Sequence, residues 1–257
     1  MPLSPHTSSV QLAERLKANA LVCDVVRSTP LSPSLYELVL HGEAARLAGE
    51  PGNDVMIRVD AGDETFVRRR YSVRALDRER DEFTLWISTE HAGPGSDWVQ
   101  RATPGEHVDV IGPRGKIPLD PDADWHLFVG DVSGLGAFYR MAQSIEAPGR
   151  AIFIVEIDND EDAVTAQFDE GVAVTGIFVN RQDRERNDPA GLLSGLAAFA
   201  LPPDEGRAYL FGEFSVIRVV RSALVDRGLR EDAISFKAFW RRGRSNAEHG
   251  EPDKSED

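Results

Sequence analysis

Cysteine is almost missing from this chain: Cys23 is the only one in 257 residues. An internal disulfide and a thiolate metal cluster are therefore excluded. A reducing, cytoplasmic location is expected. Long apolar runs are missing as well. No stretch approaches the roughly 18 apolar residues of a membrane-spanning helix, so no stable membrane insertion is expected. The N-terminus lacks the basic-then-apolar pattern of a secretion signal. Positive charge is in deficit: 29 Lys+Arg against 43 Asp+Glu gives −14. That balance argues against general affinity for nucleic acid or an anionic membrane. The six histidines and the many carboxylates lack metal-ligand spacing, so no protein-bound metal site is expected. There is no Ser/His/Asp hydrolase pattern and no internal repeat. What remains is a hydrophobic fraction of 41%, which supports a globular core. The length allows two domains of ordinary size. Arginines cluster at 68–74, 181–186 and 241–244. The middle cluster reads as a solvated face.

Two stretches stand out. Arg69-Arg70-Tyr71-Ser72-Val73-Arg74 offers cations, an aromatic ring and a hydroxyl in close order. On a strand, residues i and i+2 share a face, so Arg69 and Tyr71 point the same way. Ser72 then stands near the strand end. A guanidinium suits a phosphate and a phenol suits the face of a flat ring. Some twenty residues on comes His91-Ala92-Gly93-Pro94-Gly95-Ser96-Asp97-Trp98. This is a Gly/Pro loop in which Ser96 reads as the N-cap of a helix. Backbone N–H groups at a helix start bind phosphate. Together the two stretches read as one cradle for a flavin dinucleotide.

In chain order, residues 1–19 are polar and read as a flexible tail, with a helical turn or two over 11–18. Strands are expected at 21–26, 34–40, 54–59, 66–74, 81–88 and 107–112, with a break at Thr29-Pro30-Leu31-Ser32-Pro33. Six short strands with Pro/Gly turns predict a small antiparallel barrel over 20–121. The pattern changes after Asp124. Trp125-His126-Leu127-Phe128-Val129 and Ala151-Ile152-Phe153-Ile154-Val155-Glu156-Ile157 are continuous apolar runs of the kind found in buried parallel strands. A helix follows the turn at 130–136 and runs to about 145. One or two short strands are expected within 171–179, a helix over 189–200 and a strand over 208–211. Gly212-Glu213-Phe214-Ser215 leads into a helix with Val216, Val219, Val220, Ala223 and Leu224 as its apolar stripe, stopped at Gly228. The last strand is 233–240. The alternation predicts a parallel-sheet α/β domain over 122–243. Residues 244–257 read as a second flexible tail.

A barrel followed by an α/β half, with R-x-Y-S on the barrel, resembles the ferredoxin-reductase-like flavoenzymes. Within them the chain resembles the siderophore-interacting protein family, the FAD-dependent ferric-siderophore reductases. The resemblance runs from about Val22 to Gly243. Arg69 to Arg74 matches the family's R-x-Y-T-x-R, and His91 to Trp98 its H-G-x-G-P-A-S-x-W. Gly212-Glu213 is similar to its G-E before a helix, and Phe239-Trp240-Arg241-Arg242-Gly243 to its Y-W-R-x-G.

The resemblance implies FAD on the barrel. Arg69 would meet a phosphate, Tyr71 would stack on the isoalloxazine and Ser72 would reach the N5 edge, with Val73 and Arg74 completing the motif. His91, Gly93, Pro94, Gly95 and Ser96 would wrap the phosphates or ribityl chain, and Trp98 would pack beside them. NADH or NADPH would dock on the second domain through Asp131, Ser133, Gly134, Gly212 and Glu213, with Trp240 near the flavin. A hydride would pass to the flavin and single electrons would leave for Fe(III). Lys237, Arg241 and Arg242 would rim the site of an anionic ferric siderophore or other ferric chelate. No side chain is assigned as acid, base or nucleophile.

The family's G-D-E-T-A-L-P-A is here Gly130-Asp131-Val132-Ser133-Gly134-Leu135-Gly136-Ala137. The acid and the proline are gone and two glycines are gained. Gly134-x-Gly136 lacks the third glycine of a dinucleotide fingerprint. The donor therefore stays open among NADH, NADPH and reduced ferredoxin. Two other functions stay open: a flavin reductase or electron-transfer flavoprotein with a non-iron acceptor, and a non-catalytic siderophore- or FAD-binding protein.

Overall fold

The computed structural model describes residues 9–47, 49–62, 65–90, 92–115 and 117–243. The chain divides into two units, with the break between Pro118 and Leu119.

In the first unit the alternation of the sequence becomes a closed antiparallel barrel. Its strands are β1 (Asn19–Ser32), β2 (Leu35–His41), β3 (Asp54–Gly62), β4 (Thr65–Asp77), β5 (Glu82–Ser88) and β6 (His107–Arg114). They close in the order β1-β2-β5-β4-β3-β6. In β5, Phe83, Leu85 and Ile87 alternate inward and are buried. They meet Val25, Leu38, Leu40, Val55, Ile57, Val73, Val108 and Val110 in one core. Truncating a ring such as Phe83 there costs about 3–5 kcal/mol.

Two expectations are corrected. Thr29 to Ser32 does not break the first strand, because β1 absorbs the strain in bulges between Val25 and Arg27 and between Pro30 and Ser32. The expected N-terminal tail holds a helix, α1 (Ser9–Leu16). Its Leu12 and Ala13 are buried against Met56 and Ile111. Ser9 Oγ donates to Asp109 Oδ2 at 2.8 Å. A short helix α2 (Ala44–Leu47) covers the barrel, and α3 (Pro94–Val99) sends Trp98 and Val99 into its core.

The second unit is a five-stranded parallel sheet. Its elements are β7 (Trp125–Asp131), α4 (Leu135–Ala142), β8 (Arg150–Ile157), β9 (Ala173–Asn180), α5 (Ala190–Ala197), β10 (Gly206–Glu213), α6 (Phe214–Asp226) and β11 (Ile234–Trp240). The order is β11-β10-β7-β8-β9, and every pairing is parallel. All seven residues of β7 are buried. Parallel strands covered on both faces have no polar side, and this accounts for the unbroken apolar run in the sequence. One face packs Leu127, Val129, Ile154 and Leu210 against Leu192 and Leu196 of α5 and Val216, Ile217 and Val220 of α6. The opposite face is aromatic: Phe128 lies 5.2 Å from Phe153, and Phe138 of α4 lies 5.2 Å from Phe211. The apolar stripe of α6 differs from the expectation. Ile217 is buried and Val219 is 42% exposed.

Strand order reverses between β7 and β10. The chain leaves β7 toward β8 on one side and leaves β10 toward β11 on the other. In open α/β sheets ligands bind outside the carboxyl ends of the strands at such a point.

Candidate functional site

The barrel site is built where β4 meets α3. In register, Arg69 opposes Ile57 and Tyr71 opposes Val55, so both share the inward face with Val73, which is wholly buried. Both reach the same residue of α3. A Cβ on Gly95 would stand 2.5 Å from the Tyr71 hydroxyl and 3.3 Å from Arg69 Cγ. Only glycine permits that approach. The two stretches singled out in the sequence are therefore in contact.

Arg69 is half-buried. Its Nη1 donates to the Arg68 carbonyl at 3.1 Å, and it has no carboxylate partner among the described residues. Burial pulls its pKa down, with Tyr71 opposing. Burial likewise pushes the Tyr71 phenol well above its ordinary range. A desolvated guanidinium without a counter-charge is stabilised by an incoming phosphate. The barrel thus passes a test of fit to a phosphorylated cofactor.

The helix beside it starts earlier than expected. Gly93 is the N-cap and Pro94 the first helical residue, so Ser96 lies inside the first turn. Proline is pre-organised for that position because its fixed φ is helical and its missing N–H is not needed there. Asp97 makes the first backbone bond, to Gly93 O at 2.9 Å. Trp98 belongs to the barrel core, and its Nε1 donates to Glu106 Oε1 at 2.7 Å. His91 lies outside the described residues.

The remaining residues of the first motif diverge. Strand β4 continues to Asp77, so Ser72 stands within it and not at its end. Arg74 is on the outer face, its Cζ 4.8 Å from the Trp86 ring. Arg70 faces Asp54 at 3.6 Å. Arg68 is 2% exposed and stacks with Arg58 on Phe66.

In the second unit the sequence-selected residues gather at the reversal between β7 and β10. Asp131 is a hub. Its Oδ1 accepts from Ser133 N at 2.9 Å and from Ser133 Oγ. Its Oδ2 accepts from Glu213 N at 3.1 Å and from Trp240 Nε1 at 2.9 Å. Gly212, at φ +151°, lets that carboxylate approach; a Cβ would stand 2.6 Å from Oδ2. Glu213 caps α6 through Oε2, which accepts from Val216 N at 3.0 Å. Its Oε1 accepts from Arg242 N at 3.2 Å. Gly134 lies under the Phe138 ring. Asp131, Glu213 and Trp240 therefore tie the ends of β7, β10 and β11 together.

Beside this hub opens a cavity of about 600 Å³ lined by Phe214, Ser215, Arg218, Arg241 and Arg242 among others. Guanidinium carbons of Arg241 and Arg218 lie 4.8 and 5.4 Å from the Phe214 ring centre. Arg242 is held by Asn187 Oδ1 at 2.7 Å and Glu185 at 2.6 Å. Lys237 stands on β11 over Phe239, at 5.6 Å, and does not line the cavity.

Two features escaped the sequence reading. Ser215, Arg218 and Ser222 recur at helical spacing on the α6 face away from its core, and that spacing was a usable signal. The cluster at 181–186 is the second, and it is not a solvated face. Arg181 is 3% exposed; it donates to Glu156 Oε2 at 3.1 Å and to Asp158 Oδ1. A lone Glu156 inside an apolar strand needs such a partner, because an unpaired buried charge is costly.

Two family models match the chain. The siderophore-interacting FAD-binding domain covers residues 56–117, and the siderophore-interacting protein model covers 123–243. Ferric vibriobactin reductase ViuB of Vibrio cholerae is 26% identical over 191 residues, 72% of this chain and 68% of that protein. The electron transfer subunit of dihydroorotate dehydrogenase B from Bacillus cereus is 35% identical over 135 residues, 51% of each chain. A siderophore utilization protein from T. fusca superposes with TM-score 0.76 at 22% identity, over 90% of this chain and 96% of that one; that likeness speaks for the fold. With both models of one family falling on its two units, the chain belongs to the siderophore-interacting protein family.

Proposed function

We propose that the chain is an FAD-dependent ferric-siderophore reductase. Electrons pass from NADH or NADPH through the flavin to an Fe(III) chelate, and iron is released. The weight falls on Arg69, a half-buried cation without a carboxylate partner among the described residues, standing against Gly95 of α3. Arg69 would hold a cofactor phosphate. Gly93, Pro94, Gly95 and Ser96 would line the phosphates or ribityl chain, and His91 keeps that assignment on its sequence context. Tyr71 would offer its ring to the isoalloxazine and Ser72 its hydroxyl to the N5 edge. Bound FAD supplies the redox chemistry, taking two electrons together and releasing them singly.

The second unit would carry the dinucleotide in the crevice at the carboxyl ends of β7 and β10. Asp131, Ser133 and Glu213 shape that crevice through the bonds they make to one another and to Trp240. Arg241 and Arg242, with Arg218, would face an anionic ferric chelate, and Lys237 would add charge on β11, the strand that precedes the first two. Reduction frees the metal because Fe(II) carries less charge than Fe(III) and is held less tightly by hard oxygen ligands. Electron transfer to the metal breaks no covalent bond in the chelate, so no side chain is needed as acid or base. The likeness to a ferric vibriobactin reductase supports this assignment. No helix among the described residues is long and apolar enough to cross a membrane; a cytoplasmic setting belongs to the same proposal.

The match to an electron transfer subunit supports a second reading, a flavoprotein whose acceptor is not iron. An anaerobic absorbance titration separates the two. Flavin bands are expected to bleach with NADH or NADPH and to return on adding a ferric chelate. Bleaching with no preference for iron favours the second reading. Bands that persist under both nucleotides reject them as direct donors and turn the test to reduced ferredoxin. A protein that takes up no added FAD removes the central claim.

A further inference from the structure

The sheet of the second unit ends in two edge strands, β11 and β9, and they are built differently. β11 carries the charge of Lys237. Its pairing with β10 jumps from Ala238–Gly212 to Trp240–Glu213, so Phe239 bulges out of register. Its exposed Phe236 ring has the Arg221 guanidinium 5.6 Å away. Charge and bulges are the means by which an edge strand avoids pairing with another chain. β9 has neither. Ala173-Val174-Thr175-Gly176-Ile177-Phe178-Val179-Asn180 contains no charged residue and no proline. Its register with β8 is unbroken over all eight positions. Its first four residues are exposed and the other four half-buried. From Val174 to Val179, no backbone group bonds to anything but β8 among the described residues. The outward row of N–H and C=O groups is an open template for one more strand.

The strand fits a second copy of itself. A two-fold axis normal to the sheet makes the neighbouring strand antiparallel and keeps each face on its own side. Residues opposed across that axis share a face, so they stand an even number of positions apart. In the register centred on Gly176, Val174 opposes Phe178 of the second copy, Thr175 opposes Ile177 and Ala173 opposes Val179. Apolar and β-branched residues then meet along the whole strand, pairs of the kind that stabilise a sheet. The two glycines meet at the axis, where no side chain obstructs the approach. The faces are consistent as well. Val179 and Ile177 lie toward Gly195 of α5, so Val174, Gly176 and Phe178 occupy the opposite face. No charge is buried by this pairing. Beyond the strand ends Asp169, Glu170 and Asp183 are exposed acids, so like charge opposes association and added salt favours it.

We propose that β9 pairs antiparallel with β9 of a second copy about a two-fold axis at Gly176, joining the two sheets into one. A strand of eight residues spans about 26 Å. Contact along one such edge belongs to the small class of interfaces, below about 1,200 Å². The dimer is therefore concentration-dependent, with dissociation in the micromolar range. Antiparallel pairing points the carboxyl ends of the two sheets in opposite directions. Each copy keeps its own crevice at β7 and β10, and the pairing does not depend on the function proposed above.

Sedimentation velocity from low micromolar to hundreds of micromolar protein tests it. Wild type is expected to pass from monomer to dimer over that range, and at lower concentration when salt is added. Val174, 42% exposed, tolerates a charge in the monomer. Val174→Lys should therefore keep its melting curve and weaken the dimer roughly tenfold or more, as charge on an edge strand does. Cross-linking tests the axis. Opposed residues of an antiparallel pair have Cα atoms about 4.5–5.5 Å apart, within disulfide reach. A Cβ at Gly176 meets nothing nearer than Phe178 Cε2 at 3.6 Å, and the native Cys23 is buried. Gly176→Cys is expected to link two copies under mild oxidation, and Val22→Cys, 64% exposed on β1, is not. Wild type that stays monomeric throughout overturns the proposal. So does Val174→Lys that dimerises as tightly as wild type, which places the contact elsewhere. Gly176→Cys that links no faster than Val22→Cys overturns the pairing at Gly176.

Discussion

His126 shows how one side chain sets a condition on the fold. It is 1% exposed on β7, lies between aromatic neighbours at 6.1 Å (Tyr209) and 6.4 Å (Phe128), and its Nδ1 has no hydrogen-bond partner among the described residues. Burial drives its pKa down to about 4, with Asp120 opposing. In the unfolded chain it titrates near 6.5. Between those values the unfolded state binds the extra proton, so stability falls as pH drops from about 6.5 to about 4 and loses no more from this group below that. The loss amounts to about 3 kcal/mol at most. His126→Phe is expected to flatten the acid limb. Urea midpoints at pH 8 and pH 5 should differ less in the variant than in wild type, and equal differences would reject the account. Cys23 is the inert counterpart: buried, with its thiol pushed up to about 11.

At the scale of elements, the proposed flavin site depends on one strand and one short helix meeting. β4 turns Arg69 and Tyr71 inward, and α3 arrives with a glycine where a side chain would collide. Gly95→Ala forces Tyr71 or α3 to move, so FAD affinity is expected to drop about tenfold or more. Tyr71→Ala removes the proposed stacking surface and should weaken binding by a similar factor and shift the visible spectrum. Fluorescence titration with FAD measures both; an unchanged spectrum and affinity in Tyr71→Ala would end the stacking role. In the second unit, Asp131 and Glu213 do the comparable work of holding β7, β10 and β11 at one edge. Their residue types were legible as a G-D and a G-E before helices. That the Asp131 carboxylate serves β10 and β11 was not, because partners 82 and 109 positions away have no local signature.

At the scale of the whole molecule, charge sets two tendencies against each other. The chain carries −14, which repels an anionic chelate at long range. Arg218, Arg241 and Arg242 line the cavity and, on the proposed function, would attract it at short range. Screening lengths are about 10 Å at 0.1 M salt, so added salt removes whichever contribution is solvent-borne. If the local arginines dominate, kcat/KM for an anionic ferric chelate should fall as salt rises, while a neutral chelate should be indifferent. A rate that climbs with salt would place the chelate away from these arginines.

The two-part architecture and the strand count of the barrel are legible along the chain. Period-two alternation with Pro/Gly turns can bury only one face, and continuous apolar runs must be buried on both. The shared face of Arg69 and Tyr71 is legible too, since it follows from the pleat alone. Tertiary structure decided the rest. Ser96 lost the N-cap to Gly93, because Pro94 could start the helix earlier. The arginines at 181–186, which in sequence resemble any solvated run, became a partly buried ion network around the buried pair Arg181 and Glu156. Strand order brought the end of β9 beside Glu156 and Asp158 at the end of β8. Backbone pattern is a local property and can be read along the chain. Which charge meets which is settled only when distant strand ends are brought together and must neutralise one another.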